Sequence, residues 1–149
     1  MRLLEEIGEE TSALMAGNTL GTVLLRLGRP AEAIELFQAS ADLARSRSLP
    51  RQWADGLVGI ARARLATGEL EAARASADQA RKLAEEHGMP LSLADALLAQ
   101  AEIGASTDPA GAVPTAEAAL KLFQDAGAVT AAAQARALLV ELTEAAQSA

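Results

Sequence analysis

The chain has 149 residues, half of them hydrophobic, and a formal charge of −7. That length suits one domain with a real core. With no cysteine, disulfides, thiolate zinc sites and thiol nucleophiles are excluded, and the acidic balance argues against a nucleic-acid or anionic-lipid surface. Alanine supplies roughly a quarter of the residues, and the aromatic rings are Trp53, Phe37 and Phe123. Such a composition disfavours β-structure and favours helices packed closely on helices. No run approaches the ~18 consecutive apolar residues of a membrane span. Acids interrupt Met1-Arg2-Leu3-Leu4-Glu5-Glu6 before a signal-peptide core can form; a cytoplasmic location is expected.

Breakers recur along the chain. Gly8, Ser48, Gly88 and Gly127 are spaced by 40, 40 and 39 residues, and Gly28-Arg29-Pro30, Thr67-Gly68 and Thr107-Asp108-Pro109 fall between them. Pro50 and Pro90 share the period. Apolar residues at helical spacing predict helices near residues 10–27, 30–46, 51–66, 69–86, 91–105, 109–125 and 129–146. Pro30 and Pro109 stand at helix starts, and Gly88 and Gly127 just past helix ends. Short loops make successive helices antiparallel hairpins. The expected fold is all-α, a solenoid of hairpins with a stride near forty residues, wound as a right-handed superhelix. Its expected divisions are a stub at 1–8, repeats at 9–47, 48–87 and 88–126, and a closing helix at 127–149.

Leu3-Leu4-Glu5-Glu6-Ile7-Gly8 aligns with Leu83-Ala84-Glu85-Glu86-His87-Gly88. Met1 is therefore expected to open inside the second helix of a preceding unit, the chain being a piece of a longer solenoid. Residues 3–7 should then form a helical stub, or run on into the next helix and leave an apolar edge bare. In the closing helix, Ala131, Ala132, Ala133, Leu138 and Leu139 read as an apolar face for a further unit or a homodimer.

Within the first repeat, Leu20-Gly21-x-x-Leu24 is followed by the Gly28 turn and Ala33-x-x-x-Phe37. This resembles the tetratricopeptide repeat pattern of Leu-Gly-x-x-Tyr and then Ala-x-x-x-Phe. Ile60-Ala61, Gly68 and Ala73-x-x-x-Ala77 continue it, as do Ala101, Asp108-Pro109 and Ala112-x-x-x-Ala116. The period exceeds the family's residue count of about 34, and large residues are expected to be missing from repeats two and three, where Ala77 and Ala116 replace the ring of Phe37. Longer units rich in Ala, Leu, Arg and Glu also resemble the repeat regions of bacterial LuxR-type and antibiotic-regulatory transcription activators.

The resemblance implies a non-catalytic scaffold for a protein or peptide, the sensor or scaffold region of a bacterial regulatory protein. It implies binding through the concave face lined by the first helix of each pair. Carried over by the Gly21/Ala61/Ala101 register, that face holds Met15, Asn18, Thr22 and Arg26, then Asp55, Val58 and Arg62, then Asp95, Leu98 and Glu102. The Lys and Asn of a carboxylate clamp are missing beyond Asn18, so a basic or neutral partner fits better than a free C-terminus. The other reading of these polar residues is that they keep a concave surface solvated. An alternative function is an effector receptor closing around a signalling peptide or small molecule.

Little else points to chemistry, and no catalytic residue, metal or cofactor is expected. His87 is the sole histidine, placed in a last helical turn where a cation suits the dipole. Glu5/Glu6, Glu9/Glu10 and Glu85/Glu86 are adjacent and so point apart on a helix. Serine has no partner base, and no phosphate-binding loop exists. Gly56 and Gly59 read as close-packing positions and Trp53 as a lock between units, with a ligand contact its other reading. Arg45, Arg47 and Arg51 read as caps on exposed carbonyls.

Overall fold

The computed structural model describes residues 2–148, and among them every regular element is a helix. They are α1 (Arg2–Arg26), α2 (Pro30–Ser46), α3 (Pro50–Ala66), α4 (Leu70–Glu86), α5 (Pro90–Ala105), α6 (Pro109–Asp125) and α7 (Val129–Ser148). Met1 and Ala149, which the sequence placed at the two helical ends, lie outside the described residues. Helices α2 to α7 start at 30, 50, 70, 90, 109 and 129, so a hairpin takes 40 residues, or 39 where it includes α5. The expected all-α fold of helical hairpins with a forty-residue stride is present.

Each turn is three residues long, and one backbone conformation makes five of the six. Gly28, Ser48, Gly68, Gly88 and Gly127 have φ between 55° and 81°, the left-handed region. That residue lets the next N–H fold back onto the helix just ended: Arg29, Leu49, Glu69, Met89 and Ala128 donate to the carbonyls of Leu24, Ala44, Arg64, Ala84 and Phe123. The same five residues offer their own C=O to the N–H four residues on, the first of the following helix to find a backbone partner one turn back, at Ala33, Trp53, Ala73, Leu93 and Ala132. A single residue thus closes one helix and opens the next. Pro50 and Pro90 prove to be first helical residues like Pro30 and Pro109, a position where the missing N–H would have had no partner.

The sixth turn differs. Helix α5 has 16 residues against 17 in α3 and α6, no residue of Ser106-Thr107-Asp108 has positive φ, and Asp108 donates to Gly104 instead. Asp108 compensates as a side-chain cap, its Oδ1 accepting from the Gly111 N–H at 3.1 Å.

Ser48 is the non-glycine residue in the left-handed set. An L-side chain there costs about 1–2 kcal/mol, a strain that glycine avoids at some entropic cost. Ser48→Gly is expected to raise the unfolding free energy by about 0.5–1 kcal/mol, measured by urea titration; a loss of stability would show that the serine is held there by more than the turn.

Two compact units, Met1–Ser76 and Ala77–Ala149, divide the chain within α4. In the first, α2 packs on α1 and α3, and α1 also touches α3. Its core joins Ala33, Phe37 and Ala41 of α2 to Ile60 and Ala63 of α3, with Leu24, Leu25, Ile34 and Trp53 partly buried around them. Bare backbone permits the approach. A Cβ on Gly21 would fall 2.7 Å from the Phe37 ring, one on Gly59 would overlap that ring, and one on Gly17 would lie 2.8 Å from Ser40 Oγ. Gly56 and Gly59 are therefore packing positions, and Trp53 packs against the α2–α3 core, as the sequence indicated.

The second unit repeats the scheme, with α6 on α5 and α7 and α5 touching α7. Its ring is displaced. Ala116 packs with Ala101, Ala112 and Leu142, while Phe123, seven residues on, fills the space among Ala94, Leu97, Leu98, Ala119, Ala132 and Ala135. The expectation that large side chains are missing from this repeat is corrected by Phe123.

Two boundary expectations change. Helix α1 runs unbroken through Gly8, because a helical glycine weakens a helix by about 1 kcal/mol without ending it and no proline or left-handed turn follows here. The run-on form of the prediction is the one found, with Leu3, Leu4 and Ile7 exposed. In α7, Ala131, Ala132 and Leu138 pack into the core around Phe123, and Leu138 and Leu139 pack against Leu142. Of the five residues read as a terminal face, Ala133 is exposed.

Candidate interaction surface

Helix α1 carries Met15, Asn18, Thr22 and Arg26 at steps of three and four, which sets them on one face. Met15 is 60% exposed, and Thr22 and Arg26 are exposed as well. The hydroxyls of Thr19 and Thr22 donate to the carbonyls of Met15 and Asn18, one turn back. They are spent on their own helix. Asn18 is half-buried, and its Oδ1 is enclosed with no hydrogen-bond partner among the described residues.

On α3, Asp55 is exposed and Arg62 half-buried, and both engage neighbouring groups. Val58, expected beside them, is 5% exposed. On α5, in the second unit, Asp95 and Glu102 are half-buried and also engaged, while Leu98 is 3% exposed and belongs to the Phe123 core. Val58 and Leu98 are thus corrected from surface to core. The register places them properly on the helix, but α3 and α5 are buried over a wider arc than a one-sided amphipathic helix. The accessible part of the predicted set is Met15, Asn18, Thr22, Arg26, Asp55 and Arg62 in the first unit and Asp95 and Glu102 in the second.

The first unit's face is mixed in charge, with Arg26, Asp55 and Arg62. On α5, Asp95 and Glu102 lie seven residues apart on one face and make it acidic. Beside it, Gln100 of α5 donates to Asp78 Oδ1 at 2.7 Å and accepts from Arg81 at 3.3 Å. Sequence reasoning passed over this polar link; the half-buried Gln100 is its signal.

Two cavities lie elsewhere. One of about 290 Å³ sits where the start of α1 passes the α2–α3 turn, lined by Leu3, Ile7, Leu49, Glu6, Glu10 and Arg47. Arg47, read from sequence as a cap on exposed carbonyls, forms an ion pair here with Glu10 at 3.1 Å. Another, of about 220 Å³, sits at the α6–α7 turn over Phe123. Neither is lined by the predicted face. Among the described residues no group of three acidic, histidine or cysteine side chains could hold a metal, His87 is exposed, and no helix is long and apolar enough to cross a membrane.

Comparison with known families matches residues 11–86 to the tetratricopeptide repeat. That span runs from early α1 to the end of α4, two helical hairpins. No curated protein matches the chain.

Proposed function

The chain belongs to the tetratricopeptide repeat family, and on that premise we propose that it is a non-catalytic scaffold that captures a protein or peptide partner on the first-helix faces. Repeats of this family generally mediate protein–protein interaction. The observation that carries the finer reading is the division of α1. Gly17 and Gly21 are pressed against α2, while Met15, Thr22 and Arg26 stay uncovered along another face. Close packing on one side and accessible polar and sulfur-bearing side chains on another suit a helix that serves as both wall and reader. The acidic α5 face favours a partner of basic or neutral character. Unit length and composition, which resemble bacterial LuxR-type and antibiotic-regulatory activators, support a place in a regulatory protein. The alternative, a receptor enclosing an effector, would need a cavity lined by these faces.

A displayed random-peptide library selected on the chain tests the proposal. Selected peptides should be enriched in Lys and Arg, and should bind a variant carrying Asp55→Asn, Arg62→Gln and Asp95→Asn about tenfold more weakly, roughly 1.4 kcal/mol. The melting temperature of that variant should stay within about 3 °C of the parent. Peptides that bind parent and variant alike would move the site off these faces.

A further inference from the structure

The corner between α2 and α3 holds two features that neither the fold nor the partner-binding faces use. Its left-handed residue is Ser48, where four other corners have glycine, although glycine would sit there with less strain. The same corner carries Arg45, Arg47 and Arg51, at three, one and three residues from Ser48. All four side chains are exposed. Ser46 donates its hydroxyl to the Leu43 carbonyl, whereas the Ser48 hydroxyl is unengaged among the described residues. Arg47 pairs with Glu10, but among the described residues Arg45 and Arg51 have no ion-pair partner.

Helix α3 also starts without a counter-charge. It has no side-chain cap at Leu49 and no acid in its first turn, whereas α2 and α4 carry Glu32 and Glu71 there. Its first backbone bond is made by the Trp53 amide, so the amides of Arg51 and Gln52 precede the ladder and suit an anion. Two features oppose negative charge at this corner. The end of α2 is one, but its last carbonyls already accept from the amides of Arg47, Ser48 and Leu49. The other is Glu6 and Glu10 of α1, which stand beside Arg47 and Leu49 and are outnumbered by the three arginines. We propose that Ser48 is a phosphorylation site, recognised by a serine kinase through the flanking arginines, its phosphate held by Arg45, Arg51 and the start of α3. In the transfer, Ser48 Oγ bonds to the γ-phosphorus of a nucleoside triphosphate as the bond to the β-phosphate oxygen breaks. The nucleoside diphosphate leaves, and the hydroxyl proton passes to the kinase's catalytic base. None of these residues belongs to the partner-binding faces of α1, α3 and α5.

Incubating the full chain with a magnesium–nucleoside triphosphate and an arginine-directed serine kinase tests acceptance, the labelled residue being read by mass spectrometry. Phosphate should enter Ser48 ahead of every other serine. Arg45→Gln combined with Arg51→Gln should slow its entry by about tenfold or more, and Ser48→Gly should fold and take up no phosphate at the corner. Phosphoserine installed at position 48 during synthesis tests the cradle without a kinase. That chain should melt about 2–4 °C above the unmodified one at low salt. The gain should fall by at least half in about 0.5 M NaCl and vanish when both arginines are glutamine. Labelling confined to other serines, a rate indifferent to the two arginines, or a phosphoserine chain that melts no higher than the unmodified one would each overturn the proposal.

Discussion

Phe37→Ala is expected to lower the unfolding free energy by about 3–5 kcal/mol, the largest effect of any single truncation in the first unit. The ring is 2% exposed and joins residues of α2 and α3 in one cluster. Its neighbours cannot close the gap. Gly21 and Gly59 contribute backbone and no side chain to the space, and Ala33, Ala41 and Ala63 have no longer rotamer to swing inward. The lost transfer energy is therefore joined by a residual cavity term. Urea unfolding followed by Trp53 fluorescence measures it, because the indole packs against the same cluster. A loss below about 1 kcal/mol would mean that the helices collapse onto the vacancy.

Gly59→Ala attacks the same contact from the other side and is expected to cost about 1–3 kcal/mol. A methyl there would overlap the Phe37 ring, and the ring is also held against Gly21, so it has little room to retreat. The diagnostic experiment is the pair. Phe37→Leu alone leaves a smaller cavity, and combined with Gly59→Ala the added methyl has somewhere to go. The double variant should be less destabilised than the sum of the singles by about 0.5–3 kcal/mol. Strict additivity would show that alanine at 59 acts through the helix itself.

Glycine's placement explains why much of this fold was legible in sequence. Gly28, Gly68, Gly88 and Gly127 mark turns because the left-handed conformation selects them, while Gly59 marks a contact because the Phe37 ring leaves no room for a methyl and Gly56 marks one because it lies against Ala41. The same residue misled at Gly8, where neither constraint operates and the helix continues. Ring position was harder. Ala116 predicted a ringless core in the last repeat, but a volume can be supplied from a different turn of the helix, and Phe123 does so. For the candidate site, register picks out positions on α1 that are exposed at Met15, Thr22 and Arg26. It failed at Val58 and Leu98, because an Ala-rich helix between two neighbours buries a wide arc that the pattern of polar residues does not delimit. Gln100 escaped notice because its partners, Asp78 and Arg81, stand about twenty residues away in sequence.

The shared residue at each three-residue turn leaves no slack between consecutive helices. Arg29, Leu49, Glu69, Met89 and Ala128 each bind backward through the amide and forward through the carbonyl of the same amino acid. An extra residue spliced into such a corner must surrender one of those bonds or rotate the next helix off its seat. An insertion is therefore expected to be better tolerated inside a helix, in whole turns, than at one of these corners. Where one residue is short, before Asp108, the amide reaches back to Gly104, the carbonyl still takes the Ala112 N–H, and a side-chain cap is added.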